Sequence, residues 1–242
     1  MTEIDTAMVL AAGFGKRMRP LTETTPKPLV RLCGKPLIDW TFERLRSAGL
    51  TRFVVNSHYL GDQITAHFKT SEDVILSPEA EILDTGGGVA NALPLLGDKP
   101  FMVANADTVW LDGPRPAAER MRAAFDPDRM DALLLLHPIA TAGGDYAGPG
   151  DFHLDPTGLA RRRVEHEVAP YLFAGLSVLT PDLFADAPDG AFSLVALFDK
   201  AAAAGRLHAL VHDGEWYHVG TPEALAETQT VIELGHTASN TR

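Results

Sequence analysis

The residues able to do chemistry fall into a few tight groups. The densest is Leu10-Ala11-Ala12-Gly13-Phe14-Gly15-Lys16-Arg17-Met18-Arg19-Pro20, continued by Thr25-Pro26-Lys27-Pro28-Leu29. Glycine lets backbone come close to a ligand, and successive N–H groups in such a turn form a nest for an anion. Lys16, Arg17, Arg19 and Lys27 add full positive charge. Between Ala7 and Lys35 there are six Lys or Arg and one acidic residue, Glu23, in a chain of net charge −11. An anion is the expected ligand, and a polyphosphate fits best. Lys27, held between two prolines, could neutralise charge that develops on phosphoryl transfer, or be a plain surface lysine. The stretch is neither the dinucleotide fingerprint, because Met18 holds the third glycine position, nor a Walker A loop.

Three further groups stand out. Asp107 ends an apolar run, where a carboxylate can hold Mg²⁺ together with substrate phosphates or cap a helix before Val109-Trp110. Asp84-Thr85-Gly86-Gly87-Gly88 reads as a second glycine loop entering a helix whose N-terminus favours an anion. Glu81, just before it, could accept a base N–H or be a solvated charge. His218, in Trp216-Tyr217-His218-Val219-Gly220-Thr221, is either a buried hydrogen-bonded histidine or a metal ligand.

The elements that must position these groups alternate in the first half. Ala7–Ala12, Phe53–Asn56, Val74–Leu76, Phe101–Ala104 and Ala132–Leu136 are apolar enough for buried strands. Pro36–Ala48, Gly61–Phe68, Val89–Leu96 and Pro116–Phe125 have helical spacing between them. This rhythm predicts an α/β fold, a mainly parallel sheet with helices on both faces, and ligands at the carboxyl ends of the strands. The glycine loop and Asp107 both fall at that edge. After Thr141–Gly150, read as loop, a hairpin is expected around Asp155-Pro156-Thr157-Gly158. A strand in Tyr171–Leu179, a helix over Leu194–Ala204 and strands at Leu207–Val211 and Trp216–Val219 follow. A last helix is capped by Thr221, with fraying expected from His236.

At 242 residues, one large domain is favoured over two small ones. A pI near 5.2 with no extended basic face argues against nucleic acid as a partner. The single cysteine, Cys33, excludes an internal disulfide and fits a reducing cytoplasm. No apolar run approaches the ~20 residues that span a bilayer, so no membrane partner is expected. There is no Gly-x-Ser-x-Gly elbow and no His-Glu-x-x-His zinc pattern.

The Leu10–Thr22 stretch, Pro26-Lys27-Pro28-Leu29-Val30, Leu83-Asp84-Thr85-Gly86-Gly87-Gly88, Asn105-Ala106-Asp107 and Trp216–Thr221 together resemble the sugar-1-phosphate nucleotidyltransferase family. The short length, Thr-Gly-Gly-Gly and Gly150-Asp151-Phe152 are most similar to its bacterial N-acetylmuramate 1-phosphate uridylyltransferases of cell-wall recycling. The resemblance implies a Rossmann-like fold of the nucleotide-diphospho-sugar transferase type, in one domain spanning residues 1–242. Residues 1–137 would be the nucleotide-binding half, 138–220 the sugar-binding half and 221–242 a terminal helix and tail.

The resemblance also implies transfer of a nucleotidyl group from a triphosphate, UTP foremost, to a sugar 1-phosphate, with pyrophosphate released and UDP-N-acetylmuramate the product. Leu10, Ala11, Ala12 and Gly13 would approach the nucleoside. Gly15, Lys16 and Arg17 would hold the phosphates, with Arg17 and Lys27 catalytic. Glu81, Gly87 and Gly88 would lie near base and ribose, and Asn105, Asp151 and Glu165 on the sugar side. Asp107 would bind Mg²⁺, or Mn²⁺. Two residues depart from the family pattern. Ala106 replaces a glycine, and His218 stands where a second metal-binding aspartate is usual; imidazole suits softer ions better. A guanylyltransferase making GDP-mannose or a GDP-heptose is the alternative enzyme, and a silent NDP-sugar-binding regulatory subunit the alternative class.

Overall fold

The apolar runs of the first half become strands that alternate with helices, as their spacing predicts. The computed structural model describes residues 3–144 and 146–239, the last four as backbone only. In chain order the first elements are β1 (Thr6–Leu10), β2 (Arg31–Leu32), β3 (Lys35–Pro36), α1 (Leu37–Ser47), β4 (Arg52–Ser57), α2 (Gly61–His67) and β5 (Val74–Pro78). Then come α3 (Asp84–Leu96), β6 (Phe101–Asn105), β7 (Thr108–Leu111), α4 (Ala117–Ala124), β8 (Ala132–Pro138) and β9 (Gly143–Gly144). The chain ends with β10 (Phe152–Leu154), β11 (Ala160–Arg162), β12 (Tyr171–Leu179), α5 (Leu194–Ala203), β13 (Leu207–Val211), β14 (Glu215–His218) and α6 (Pro222–Ser239).

Nine strands form one sheet. β5, β4, β1 and β6 lie side by side and parallel. β12 pairs antiparallel with β6 on one edge and β8 on the other, and β13 runs parallel to β8. The hairpin β10–β11 adds on through Phe152 opposite Tyr171. Alternate residues of each strand feed opposite cores. Ala7 and Val9 pack with Phe42 of α1, Ile64 of α2 and Met121 of α4, whereas Met8 packs with Val89 of α3 and Leu197 of α5. A strand apolar on both faces is what a parallel sheet sandwiched by helices demands.

A second sheet holds β7, β14 and β9. His218 of β14 lies opposite Thr108 of β7 and beside Gly144 of β9. This removes one alternative for Asp107 and corrects the reading of Thr141–Gly150 as loop throughout. Asp107 does not cap a helix; it sits in the two-residue turn between β6 and β7. The Thr141–Gly150 loop contributes a short strand. The segment Asp84–Gly88 is also not a loop, because α3 begins at Asp84 and the glycines form its first turns. Thr221 caps α6 through its hydroxyl, which accepts the Ala224 N–H at 3.2 Å. That helix continues through Ser239, past the His236 at which fraying is expected; residues 240–242 lie outside the described residues. No helix among the described residues is long and apolar enough to cross a membrane.

Candidate active site

The carboxyl ends of β1, β4, β5 and β6 open on a cleft of about 530 Å³. Leu10, Ala11, Ala12, Gly13, Gly15, Lys16, Arg17, Lys27, Asn105 and Asp107, all singled out in the sequence, line it together. The loop after β1 is shaped by two contacts. Gly15 has φ +61°, and a Cβ there would come within 2.9 Å of the Lys27 Cβ and 3.0 Å of the Thr22 methyl. Thr22 Oγ1 in turn donates to the Gly15 carbonyl at 2.8 Å. Glycine is required at that point so that the basic loop can fold against the Lys27 segment. Gly13 faces open space.

Lys27 is buried and its ammonium donates to Asp107 Oδ2 at 2.7 Å. Burial pushes the Asp107 carboxyl up, and the adjacent Lys27 charge and hydrogen bond more than offset it, so its pKa falls below the ordinary value. Asp107 is thus an anion next to the strongest cluster of positive charge in the chain.

Two cleft residues escaped the sequence reading. Asn56 is the next-to-last residue of β4, and Glu79 follows β5; both are buried. Asn56 Oδ1 accepts the Ala11 N–H at 2.7 Å and its Nδ2 donates to Glu79 Oε1 at 2.6 Å. Glu79 Oε2 accepts the Leu83 N–H at 3.1 Å. This chain of hydrogen bonds ties the loop after β1 to the entry of α3. The signal that marks Asp107, a polar residue closing an apolar strand at the ligand edge, marks Asn56 too. Asp84 and Thr85 also line the cleft, and Asp84 adopts φ +57°.

Gly87, Gly88 and Glu81 lie outside that lining. The glycines of α3 make room for protein. A Cβ at Gly86 would strike the Phe192 ring at 2.3 Å, one at Gly87 the Gly190 carbonyl at 2.2 Å, and one at Gly88 the Glu79 carboxylate at 2.7 Å. The N–H groups of Gly86 and Gly87 both donate to the Phe192 carbonyl, at 2.8 and 3.1 Å, so this helix N-terminus is capped from within rather than open to an anion. Glu81 is exposed on the surface.

Asp151 and Glu165 meet in a second cleft of about 450 Å³, floored by Phe152, Phe173 and Phe198. Asp151 Oδ2 accepts the Phe173 N–H at 2.9 Å. β12 passes both clefts: Phe173 lines the second, and a Cβ on Gly175, two residues on, would lie 3.3 Å from Nδ2 of Asn105, which lines the first.

Among the described residues no three His, Cys, Asp or Glu gather into a metal cage. Mg²⁺ does not need one, since one or two carboxylates plus substrate phosphates commonly hold it. The part-exposed Asp107 fits that lesser requirement. His218 too lies outside the cleft lining, but its Nε2 stands 3.4 Å from Nη2 of Arg17, which lines it.

Residues 7–174 match the family described as the MobA-like NTP transferase domain. A protein of Caulobacter vibrioides named N-acetylmuramate alpha-1-phosphate uridylyltransferase is 43% identical over 225 residues, covering 90% of this chain and 93% of its own. Its namesake from Neisseria meningitidis is 38% identical, covering 93% and 97%. Mannose-1-phosphate guanyltransferases are more distant. Among solved structures, UDP-glucose pyrophosphorylase complexed with UDP-glucose superposes with a TM-score of 0.75 at 18% identity, over 96% of this chain and all of that one.

Proposed function

The chain belongs to the sugar-1-phosphate nucleotidyltransferase family, with a MobA-like NTP transferase domain, and from that premise we propose that it joins UTP to N-acetylmuramate 1-phosphate, releasing pyrophosphate and UDP-N-acetylmuramate. Enzymes of this family make NDP-sugars from sugar 1-phosphates. The observation that carries nucleotidyl transfer is one cleft holding a basic glycine loop, a buried lysine and an anionic aspartate on a single sheet edge; the choice of UTP and N-acetylmuramate 1-phosphate follows the names of the 43% and 38% identical relatives.

The reaction needs no covalent enzyme intermediate. A sugar-phosphate oxygen attacks the α-phosphorus in line, and the bond to the β-phosphate oxygen breaks. Catalysis is then positioning plus charge neutralisation. In this reading the backbone of Leu10 to Gly13 lies against the nucleoside. The Gly15–Arg17 turn holds the β- and γ-phosphates, and Arg17 stabilises the charge that leaves with pyrophosphate. Lys27 faces the α-phosphate. Asn105 meets the sugar, with Asp151 and Glu165 beyond it across β12. Uracil presents one N–H on its pairing edge, and the 79–85 segment supplies the acceptor; Asp84 and Thr85 face the cleft there. Gly88 acts at one remove, by leaving room for the Asn56–Glu79 pair.

The family is generally dependent on a divalent metal. Asp107 is the residue to hold Mg²⁺ here, and such an ion would screen the triphosphate's negative charge. The substrates and the single reduced-compatible cysteine suit a cytoplasmic enzyme.

The test is pyrophosphate release across a grid of UTP, GTP, CTP and dTTP with N-acetylmuramate, N-acetylglucosamine, mannose and heptose 1-phosphates. The UTP and N-acetylmuramate 1-phosphate pair should give the highest kcat/KM. A preference for GTP would replace this reading with a guanylyltransferase.

A further inference from the structure

His218, expected from the sequence as a candidate metal ligand, lies just outside the cleft lining, against Arg17. Its position is fixed from several sides. The backbone is held opposite Thr108, next to Asp107 in sequence, and beside Gly144. Gly144 has φ +75°, and a Cβ on it would strike the His218 carbonyl at 2.2 Å. The ring lies parallel to Trp216, at an interplanar angle of 15° and 6.1 Å between centroids. The Trp216 Nε1–H donates to the Ala174 carbonyl at 3.1 Å, which locks that platform.

So oriented, His218 Nε2 stands 3.4 Å from Arg17 Nη2. A guanidinium offers donors only, so Nε2 must be the acceptor and the ring must be neutral with its proton on Nδ1. The lone pair an ion would need is the one aimed at the arginine.

We infer that His218 is a positioning residue for Arg17, holding the guanidinium over the phosphate end of the cleft, and is not a metal ligand. The metal then depends on Asp107 and the substrate phosphates alone. This inference rests on the nucleotidyltransferase reading for its activity readout, but the Arg17–His218 contact itself does not.

The experiment is a double-mutant cycle with a metal-binding readout. His218→Ala should lower kcat about tenfold, the effect of one charge-assisted hydrogen bond. That loss should vanish when His218→Ala is made in an Arg17→Ala background. His218→Gln, which returns an acceptor near the Nε2 position, should recover most of it. His218→Asn, which is too short, should not. In parallel, Mn²⁺ titrated against each protein, with and without UTP and followed by electron paramagnetic resonance, should bind wild type and His218→Ala equally. Weaker Mn²⁺ binding in His218→Ala overturns the inference, as does a kcat loss that persists undiminished without Arg17. If His218→Ala does not fold, the Gln and Asn variants decide: equal activity in the two overturns the assignment. Should the wild type release no pyrophosphate with any pair, the enzymatic reading fails. The ¹⁵N shifts of the His218 ring, compared between wild type and Arg17→Ala, then still report the contact, and identical shifts would overturn it.

Discussion

At the scale of single residues the site turns on Lys27. Its stem packs where Gly15 has no side chain, and its ammonium meets Asp107 at 2.7 Å. The pair is of little structural value, because Asp107 is 39% exposed and partly exposed pairs contribute at most about 1 kcal/mol. Its value lies in the reaction, where a preorganised charge facing a reacting phosphate commonly accounts for ~10²–10³ in kcat. Lys27→Met keeps the length and the packing while deleting the charge. It should therefore leave the melting temperature nearly unchanged and cut single-turnover pyrophosphate release by that factor. A variant that melts early but turns over normally would show that Lys27 is Asp107's structural partner and nothing more.

The elements carry the clearest conflict between local preference and tertiary packing. Glycine inside a helix costs about 1 kcal/mol relative to alanine, and α3 opens with three. Sequence periodicity therefore places the helix after Gly88, whereas the structure begins it at Asp84. The glycines are kept because Gly190, Phe192 and Glu79 come too close for any Cβ. Gly87→Ala should then lose about 1–3 kcal/mol to overpacking against the fixed Gly190 carbonyl, more than the ~1 kcal/mol gained in helix propensity. A Cβ added at Gly235 in α6 would meet nothing within 4 Å, so Gly235→Ala should stabilise by up to ~1 kcal/mol. Urea melts of the two variants should move in opposite directions; a stabilised Gly87→Ala would mean that the 190–192 segment yields easily.

The same contrast shows what the sequence made legible. The five apolar strands of the first half and the basic loop were readable, because apolar runs and charge density are local signals. β7 was not, because Val109-Trp110 becomes a strand only by pairing with Tyr217 and Trp216, over a hundred residues away. Glu79 was passed over for Glu81, since nothing local distinguishes two carboxylates two residues apart. Burial and Asn56 single out the first of them.

At the scale of the whole molecule, the large and small sheets meet at Trp216, whose indole bonds to β12 and stacks on His137 of β8 at 6.0 Å. Behind that joint, His137 and His212 face each other with their Nδ1 atoms 3.2 Å apart, both buried. Two charged rings do not suit the geometry, because one Nδ1 must donate and the other accept. Burial, and then the neighbouring His137, push His212 down to about 4, although Asp112 and Asp213 pull the other way; Arg120 adds to the lowering. Burial also lowers His137. In the unfolded chain both titrate near 6.5. Between those values the unfolded state binds the extra proton, so stability rises with pH through that window and is full above it. As pH falls from 6.5 toward 4 the stabilisation is lost, at about 1.4 kcal/mol per pH unit for His212, or roughly 2 kcal/mol by pH 5. His212→Asn, which keeps a short polar group but does not titrate, should flatten the fall in urea-unfolding free energy between pH 7.5 and pH 5 by about that amount. Carboxylates elsewhere add their own slope to both proteins, so the difference between the two curves is the quantity to read. Parallel curves would remove the histidine pair from any part in the acid sensitivity of the joint between the sheets.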